Sequence, residues 1–330
     1  MSSIAATVEA FFTDRLVHQR CASPRTISAY RDTLRLLFLF AHQRSGKTPE
    51  RLDFTDIDAS QIAAFLTHLE HDRSNSVSTR NARLTAIRSL YRYAALRHPE
   101  HAELIQRVLA IPSKRTRTTI VAFLTRPEID ALLAAPDRSD WIGRRDHALL
   151  LLAIQTGLRV SELTGLTIND VHLGTGAHVR CHGKGRKDRV TPLTTHTVAV
   201  MREWTREQAD RPPATPFFPN NRGGRLSTDA IAWLLAKHTA TAAAHCPTLS
   251  TKNVTPHVLR HSSAMNLLHA GVDITVIALW LGHESTQTTQ IYLHADLELK
   301  QRALDRTTPP DTPPGRYRPP DKLLTFLKNL

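Results

Sequence analysis

The chain has 330 residues and carries 43 lysines and arginines against 30 aspartates and glutamates, a formal charge of +13. This length suggests two domains, and a hydrophobic content of 41% excludes a wholly disordered chain. Three widely spaced cysteines exclude a disulfide framework and a CxxC metal knuckle, and they indicate a reducing compartment.

The positive charge is shared between the two halves of the chain. Residues 1–119 have a net charge of +7 and residues 120–330 have +6. This even split favours two domains that grip one long polyanion, with an anionic membrane surface or an arginine-rich proteome as alternatives. The first residues lack the pattern of a signal peptide and the longest apolar stretch, 148–154, is too short to span a membrane, so we expect a cytoplasmic protein.

Residues 1–110 are predicted to form a small helical domain. About four amphipathic segments carry apolar residues at helical spacing, beginning at Ile4, at Ser23-Pro24, at Asp58 or Ser60, and at Ser78. The last segment has a second stripe of Arg80, Arg83, Arg88 and Arg92. A solvated helix face explains this stripe as well, but in a basic helical module we predict that Arg80, Arg83 and Arg88 contact phosphates.

Residues 111–121 are the predicted linker between the two domains. They show no helical period and contain Lys114 and Arg115, which we add to the candidate phosphate contacts. A new unit begins at Thr125, where a Thr-x-x-Glu capping box with Pro127 in the first turn starts a helix.

The next candidate segment joins two predicted helices around a glycine. A helical run through Leu149 and Leu152 ends at Gly157, and the sequence there is Thr-Gly-Leu-Arg-Val-Ser-Glu-Leu. An arginine between apolar helices is costly unless it is paired, so Glu162 is the predicted structural partner of Arg159. Alone, this motif is not diagnostic of any function.

Residues 166–193 change character, because Val171, Val179 and Val190 lie among turn residues and predict short antiparallel strands. The sequence from His182 is His-Gly-Lys-Gly-Arg-Lys-Asp-Arg-Val, a glycine-rich basic hairpin that contains Lys184. The GxxxxGK[ST] pattern of a P-loop is absent, which excludes that kind of ATP site. A solvated hairpin tip and a functional lysine both remain open here.

A third cluster lies at a predicted helix start. Thr255 is a good N-cap and Pro256 suits the first helical position. His257, Arg260 and His261 then share one helix face at positions i, i+3 and i+4. A positive, donor-rich patch at a helix N-terminus favours a phosphate over a metal cation.

The fourth cluster, Leu-Gly-His-Glu-Ser, places His283 at the joint between two short predicted helices. Gly282 ends the first helix, and the second carries Tyr292. The pattern is not HExxH, because Gln287 stands where the second histidine would be, and a zinc protease is excluded on this ground.

The C-terminal residues combine a spacer with an apolar stripe. Six of the 19 prolines lie between Pro309 and Pro320, and they predict an extended segment. A short stripe follows, formed by Leu323, Leu324, Phe326, Leu327 and Leu330. A helix of this length is marginal alone, so residues 308–330 are predicted to be a spacer and a docking helix.

Taken together, these clusters resemble the tyrosine recombinase (phage integrase) family, especially the Xer-like recombinases and transposon-borne integrases. The Thr-Gly-Leu-Arg box, the Gly-Lys-Gly-x-Lys-x-Arg hairpin, His-x-Leu-Arg-His, and Leu-Gly-His followed nine residues on by tyrosine occur in the family's order. The resemblance implies a mainly α fold with a small antiparallel β-sheet. A helical, SAM-like core-binding domain would occupy residues 1–110, and an α+β catalytic domain residues 122–307.

The resemblance also implies a site-specific DNA recombinase that works through a 3′-phosphotyrosine, for integration or excision of a mobile element. Tyr292 would attack the scissile phosphate, and Arg159 and Arg260 would clamp its non-bridging oxygens. Lys184 would protonate the leaving 5′-oxygen, His257 would assist proton transfer and His283 would hydrogen-bond the phosphate. Glu162 would give structural support. No metal and no nucleotide cofactor are implied.

Duplex DNA is the partner that the resemblance implies, bound by a homo-tetramer, with or without sister recombinases, at the nucleoid. The C-terminal helix would couple neighbouring subunits, and packing on its own domain is the alternative. Two other functions stay open. A type IB topoisomerase uses similar Arg, His and Tyr chemistry to relax supercoils, and a catalytically inactive relative would only bind DNA.

Overall fold

The computed structural model describes residues 4–116, 121–182, 188–208 and 211–283, together with Thr289 and Tyr292. The chain divides into two compact units, Met1–Thr118 and Thr119–Leu330, and each unit has its own hydrophobic core. Lys184 and the predicted tail 308–330 lie outside the described residues.

Five α-helices make up the first unit within residues 4–116. They are α1 (Ile4–Ala10), α2 (Pro24–Ser45), α3 (Ala59–His71), α4 (Val77–Ala94) and α5 (Ala102–Ala110). A π-helical segment, Phe11–Gln19, continues α1, and short 3₁₀ turns lie at Pro49–Arg51, Phe54–Ile57 and Pro99–His101. Helix α5 was not predicted from the sequence, because only two of its nine residues, Ile105 and Val108, are buried apolar positions.

The helix starts in the first unit follow from side-chain caps. The Ser23 hydroxyl accepts a hydrogen bond from the backbone N–H of Thr26, and Pro24 occupies the first turn, as predicted. Asp58 caps α3 in the same way. The cap of α4 is Ser76 rather than Ser78, so this helix begins slightly earlier than expected.

The second unit contains seven α-helices and three strands within its described residues, with 3₁₀ helices at Ile168–Asp170 and Pro247–Thr251. The helices are α6 (Arg126–Ala134), α7 (Trp141–Thr156), α8 (Val160–Gly165), α9 (Thr195–Arg206), α10 (Thr228–Ala243), α11 (Pro256–His269) and α12 (Ile274–Leu281). Helix α7 is buried along most of its length and packs against α6, α9 and α11. It therefore forms the centre of this unit's core.

A small antiparallel sheet lies between α8 and α9. Its strands are β1 (Val171–His172), β2 (His178–His182) and β3 (Asp188–Pro192), in the order β1-β2-β3. Val171 pairs with Val179, and Val190 pairs with Arg180, so the three valines lie on short antiparallel strands as predicted. Lys184 lies in the sequence between β2 and β3, within residues 183–187, outside the described residues.

The predicted fold class is confirmed: the chain is mainly α-helical with one small antiparallel sheet, and a helical N-terminal domain precedes an α+β domain. In the described part of the chain, no helix has both the length and the apolar composition needed to cross a membrane.

Candidate active site

A glycine fixes the junction between α7 and α8. Gly157 ends α7 in the left-handed region, with φ of 63°. A Cβ added there would lie 2.6 Å from Leu281 Cδ2 and 3.0 Å from Ser263 Oγ, so a larger residue would strain the backbone and displace these side chains. Arg159 follows in extended conformation as the N-cap residue of α8, on a sharp turn between two packed helices.

Glu162 organises the arginines at this junction. One of its oxygens accepts a hydrogen bond from the Arg159 backbone N–H at 2.8 Å, and the other accepts from Arg159 Nη1 at 2.9 Å. Arg189, on β3, donates to both oxygens through Nη1 and Nη2, each at 2.8 Å. Burial opposes ionisation, but the hydrogen bonds from Arg189 and Arg159 outweigh it and lower the pKa of Glu162.

Arg260 reaches the same junction from the first turns of α11. Its side chain is buried, and Nη1 and Nη2 donate to the carbonyl oxygens of Gly157 and Leu281, both at 2.6 Å. These two carbonyls terminate α7 and α12, so Arg260 joins three helices. Burial, followed by the positive charge of Arg159, lowers the pKa of Arg260 to about 10.

His283 follows the left-handed Gly282 that ends α12. The Gly282 carbonyl accepts a hydrogen bond from Arg159 Nη2 at 2.9 Å, which brings His283 beside the arginines. His283 Nδ1 lies 2.7 Å from the Thr289 hydroxyl oxygen. Burial first, and then the charges of Arg260 and Arg159, lower the pKa of His283 to about 4, so the ring is neutral at pH 7.

The Tyr292 side chain is 1% exposed and packs with Ala264, Met265 and Ile277 in a separate apolar cluster. Its hydroxyl oxygen lies 3.0 Å from His261 Nδ1 on α11. Burial raises the pKa of Tyr292, although the charge of Arg260 acts in the opposite direction. The phenol is therefore protonated at neutral pH, with a histidine ring at its oxygen.

Two histidines lie one turn apart on α11 and differ in their surroundings. His257 is exposed, and its ring centroid is 6.4 Å from that of His261. Burial, then the charges of His257 and Arg260, lower the pKa of His261 to about 4. His257 was predicted to assist proton transfer, whereas His261 is the histidine in contact with the Tyr292 hydroxyl.

The described site therefore brings Arg159, Arg260, His283 and Glu162 together, with Tyr292 held by the helix that carries Arg260. Two residues were not assigned a role from the sequence, Arg189 and His261. Arg189 closes the Gly-Lys-Gly-x-Lys-x-Arg motif and His261 lies at the i+4 position of its helix face, so both stood in recognised patterns. Arg159 and Arg260, two guanidinium groups beside each other in this site, can hold a phosphate diester.

The arginine stripe of α4 faces the beginning of the linker. Arg80 is buried and donates to the Pro112 carbonyl at 3.1 Å, and Arg88 donates to the Ile111 carbonyl. Arg83 is half-buried, and burial followed by the charge of Arg73 lowers its pKa. Of the predicted phosphate contacts, Arg80 and Arg88 thus each use terminal nitrogens on partners within the unit.

Asn81 fixes the linker backbone at Lys114. Its side chain donates to the Lys114 carbonyl at 2.8 Å and accepts from the Lys114 N–H at 3.1 Å, in the manner of a paired strand. The Lys114 ammonium lies 2.7 Å from Glu70 Oε2 on α3, while Arg115 is exposed. The linker backbone is therefore held by the first unit as far as Lys114.

Asn81→Ala is expected to raise the rate of tryptic cleavage after Lys114 several-fold, because the change removes both hydrogen bonds of the Lys114 backbone, worth about 1 kcal/mol each. Limited proteolysis followed by mass spectrometry measures this rate. Thr85→Ala is the control, because Thr85 is an exposed residue one turn after Asn81 on α4. Equal cleavage in Asn81→Ala and the control would contradict the linker contact.

Comparison with known proteins follows the same division of the chain. Residues 122–298 match the phage integrase family, and residues 10–98 match the phage integrase N-terminal SAM-like domain. The putative integrase/recombinase y4rC of Sinorhizobium fredii is 57% identical over 329 residues, covering 100% of this chain and 99% of that protein. The tyrosine recombinase XerC of Pelobacter propionicus is 33% identical over 303 residues, covering 90% and 94%.

Among solved structures, the XerH site-specific recombinase bound to palindromic difH substrate, a post-cleavage complex, is similar to this chain with a TM-score of 0.67 and 23% identity. The similarity covers 87% of this chain and 81% of that one. At this identity the likeness concerns the fold.

Proposed function

This chain belongs to the phage integrase family of tyrosine recombinases, and we propose that it is a site-specific recombinase that cuts and rejoins duplex DNA through Tyr292. One observation carries the proposal. The Tyr292 hydroxyl is hydrogen-bonded to His261, the residue next to Arg260. Arg260 donates to the Gly157 carbonyl, two residues before Arg159 in the chain, and Arg159 donates to the Gly282 carbonyl. The phenol nucleophile is thus held by α11, the helix that also supplies Arg260 to the cationic site.

The reaction is a pair of transesterifications: Tyr292 first replaces the 5′-oxygen of a phosphodiester, and the 5′-hydroxyl of the partner strand then attacks the phosphotyrosine and releases Tyr292. The Tyr292 oxygen attacks phosphorus, a phosphotyrosine bond forms at the 3′ side, and the bond to the 5′-oxygen breaks. Lys184 donates a proton to that leaving oxygen. Arg159 and Arg260 bind the non-bridging oxygens, where the extra charge of the transition state develops, and His283 donates a further hydrogen bond.

The tyrosine proton leaves towards the histidines of α11. His261 Nδ1 is 3.0 Å from the hydroxyl, and the exposed ring of His257 stacks beside it. A phosphate bound at Arg159 and Arg260 brings negative charge next to His261, which raises its proton affinity when the nucleophile must be deprotonated. His257 then assists by passing the proton to solvent.

Both units supply positive charge for gripping the duplex. In the first unit, the proposed phosphate contacts are Arg83 on α4 and Lys114 and Arg115 on the linker. Arg80 and Arg88 hold the start of this linker. Residues 1–110 serve as the core-binding domain and residues 122–307 as the catalytic domain. We further propose action at the nucleoid, in integration or excision of a mobile element, by a homo-tetramer with or without sister recombinases.

Covalent trapping tests this function directly. The protein is mixed with fragmented DNA from the cells that carry its gene, denatured and digested, and the DNA end attached to the protein is sequenced. A nucleotide attached to the peptide of Tyr292 supports the proposal. Bound DNA without an adduct indicates an inactive regulator, and relaxation of a supercoiled plasmid without exchange between two sites indicates a topoisomerase.

Deletion of residues 316–330 is expected to spare binding to a single site and to reduce strand exchange between two sites by about tenfold or more, because the apolar stripe Leu323–Leu330 would couple subunits. Gel shift and two-plasmid recombination assays measure the two activities. Leu323→Ala with Phe326→Ala in the full-length chain is the matched variant. Normal recombination by both would favour packing of this helix on its own domain.

A further inference from the structure

Arg189 lies within the site but has no role in the proposed reaction. It lies at the start of β3, five residues after Lys184, and its side chain is 12% exposed. Its two terminal nitrogens grip both oxygens of Glu162, the carboxylate that also holds the backbone and side chain of Arg159. Glu162 is therefore shared between two arginines.

Because two arginines share Glu162, the net charge of the site beside a bound phosphate depends on Arg189. Arg159 and Glu162 alone would form a neutral pair, and a neutral pair attracts an anion weakly. With Arg189 on the other side of the carboxylate, the group of three has a net charge of +1, and Arg260 raises the total to +2. In a site shielded from solvent, one unit of charge beside a phosphate has a large electrostatic effect.

Arg189 also packs against the turn that precedes His283. A Cβ added at Gly282 would lie 2.8 Å from Arg189 Nη1 and 3.2 Å from its Cδ, so the guanidinium lies directly on the Gly282 backbone. The Gly282 carbonyl in turn accepts from Arg159 Nη2. Arg189 thus contacts the two structures, Glu162 and the Gly282 turn, that fix the direction of the Arg159 guanidinium.

We propose that Arg189 is a positioning residue for DNA strand cleavage: it neutralises Glu162 and supports the Gly282 turn, so that Arg159 keeps both its orientation and an uncompensated positive charge for the scissile phosphate. This role rests on the proposed function for its reaction. Arg189 itself uses its terminal nitrogens on Glu162 and acts on the phosphate through Arg159.

The test compares Arg189→Gln, Arg189→Lys and the double variant Glu162→Gln/Arg189→Gln with the unmodified protein. Arg144→Gln is the matched control, since Arg144 also makes a two-pronged pair with a glutamate, Glu207, at the start of α7. Thermal unfolding followed by circular dichroism establishes that each variant is folded. Only the charge and geometry at Glu162 then differ.

The first readout is covalent adduct formation on a nicked duplex of the sequence recovered by trapping. The duplex is made either with a normal scissile phosphate or with a neutral methylphosphonate in place of that phosphate. Arg189→Gln is expected to slow the reaction of the charged phosphate about 10²-fold and to affect the methylphosphonate much less. The double variant should recover most of the loss, because Glu162 no longer cancels Arg159. The rate of Arg189→Lys should lie between those of Arg189→Gln and the unmodified protein, since lysine keeps the charge but not the two-pronged contact.

The second readout is independent of cleavage. Binding of inorganic phosphate at low salt is measured by calorimetry, with Arg159→Ala as the baseline for binding elsewhere on this basic chain. Arg189→Gln is expected to weaken the binding that depends on Arg159 by about tenfold, and the double variant to restore it.

The outcomes separate the two proposals. If Arg189→Gln lowered the rate of adduct formation equally on both duplexes and the double variant recovered nothing, the role of Arg189 would be purely structural and the inference would be overturned. Normal adduct formation and normal phosphate binding in Arg189→Gln would overturn it as well. An unmodified protein that forms no adduct would contradict the recombinase function. In that case the phosphate measurement alone decides whether Arg189 sets the charge of the site.

Discussion

Tyr292→Phe is expected to abolish covalent protein–DNA adducts and to leave DNA affinity unchanged. The change removes the nucleophilic oxygen, and loss of a nucleophile typically lowers the rate of such reactions roughly 10⁴- to 10⁶-fold. Phosphate binding relies on the arginines, which keep their partners, Glu162 and the carbonyls of Gly157 and Leu281. Adducts are measured on denaturing gels, and affinity by gel shift.

The substitution should be well tolerated by the fold. The phenol ring packs in the cluster with Met265 and Ile277, and phenylalanine fills the same space. The lost hydrogen bond to His261 costs about 1 kcal/mol. Loss of adducts in a folded protein would therefore report on chemistry rather than on stability.

A matched control exists in the first unit. Tyr91 is also fully buried, and its hydroxyl donates to the Ile57 carbonyl. Tyr91→Phe removes a hydrogen bond of the same kind outside the proposed site, so it should form adducts at the normal rate. An adduct that persists in Tyr292→Phe, or that maps to another of the five tyrosines, would contradict the assignment of the nucleophile.

Local signals in the sequence were sufficient for the turns that build the site. Gly157 and Gly282 were expected to end helices, and both do so with positive φ. Thr255 was expected to cap α11, and its hydroxyl accepts from the Val258 N–H. Each of these features involves neighbours within about one turn of chain, where residue type alone limits the backbone.

The partners of charged side chains were less predictable, because they depend on tertiary contacts. Glu162 and Arg189 are 27 residues apart, and His261 and Tyr292 are 31 apart. Neither spacing corresponds to a period of helix or strand. Arg80 and Arg88 of α4 likewise donate to the Pro112 and Ile111 carbonyls, which are 32 and 23 residues away, and no pattern of charges reveals these contacts.

Arg260→Ala is expected to lower the rate of adduct formation by about 10²- to 10³-fold, because it removes a preorganised donor from the phosphate site. The side chain also holds the carbonyls of Gly157 and Leu281, so the variant should unfold at lower temperature. Each orphaned carbonyl costs about 1–3 kcal/mol. The rate must therefore be measured per folded molecule, well below the melting temperature.

Arg145→Ala provides the comparison that separates the two effects. Arg145 is buried in the same unit and donates to Asp146 and to the Pro219 carbonyl, away from the junction. The Arg145→Ala variant should lose about as much stability as Arg260→Ala, but it should cleave DNA at the normal rate at temperatures where it is folded. If Arg260→Ala also cleaved normally at a temperature where it is folded, the guanidinium would serve only to join α7, α11 and α12. The phosphate would then have to be held by Arg159 with His283 and Lys184.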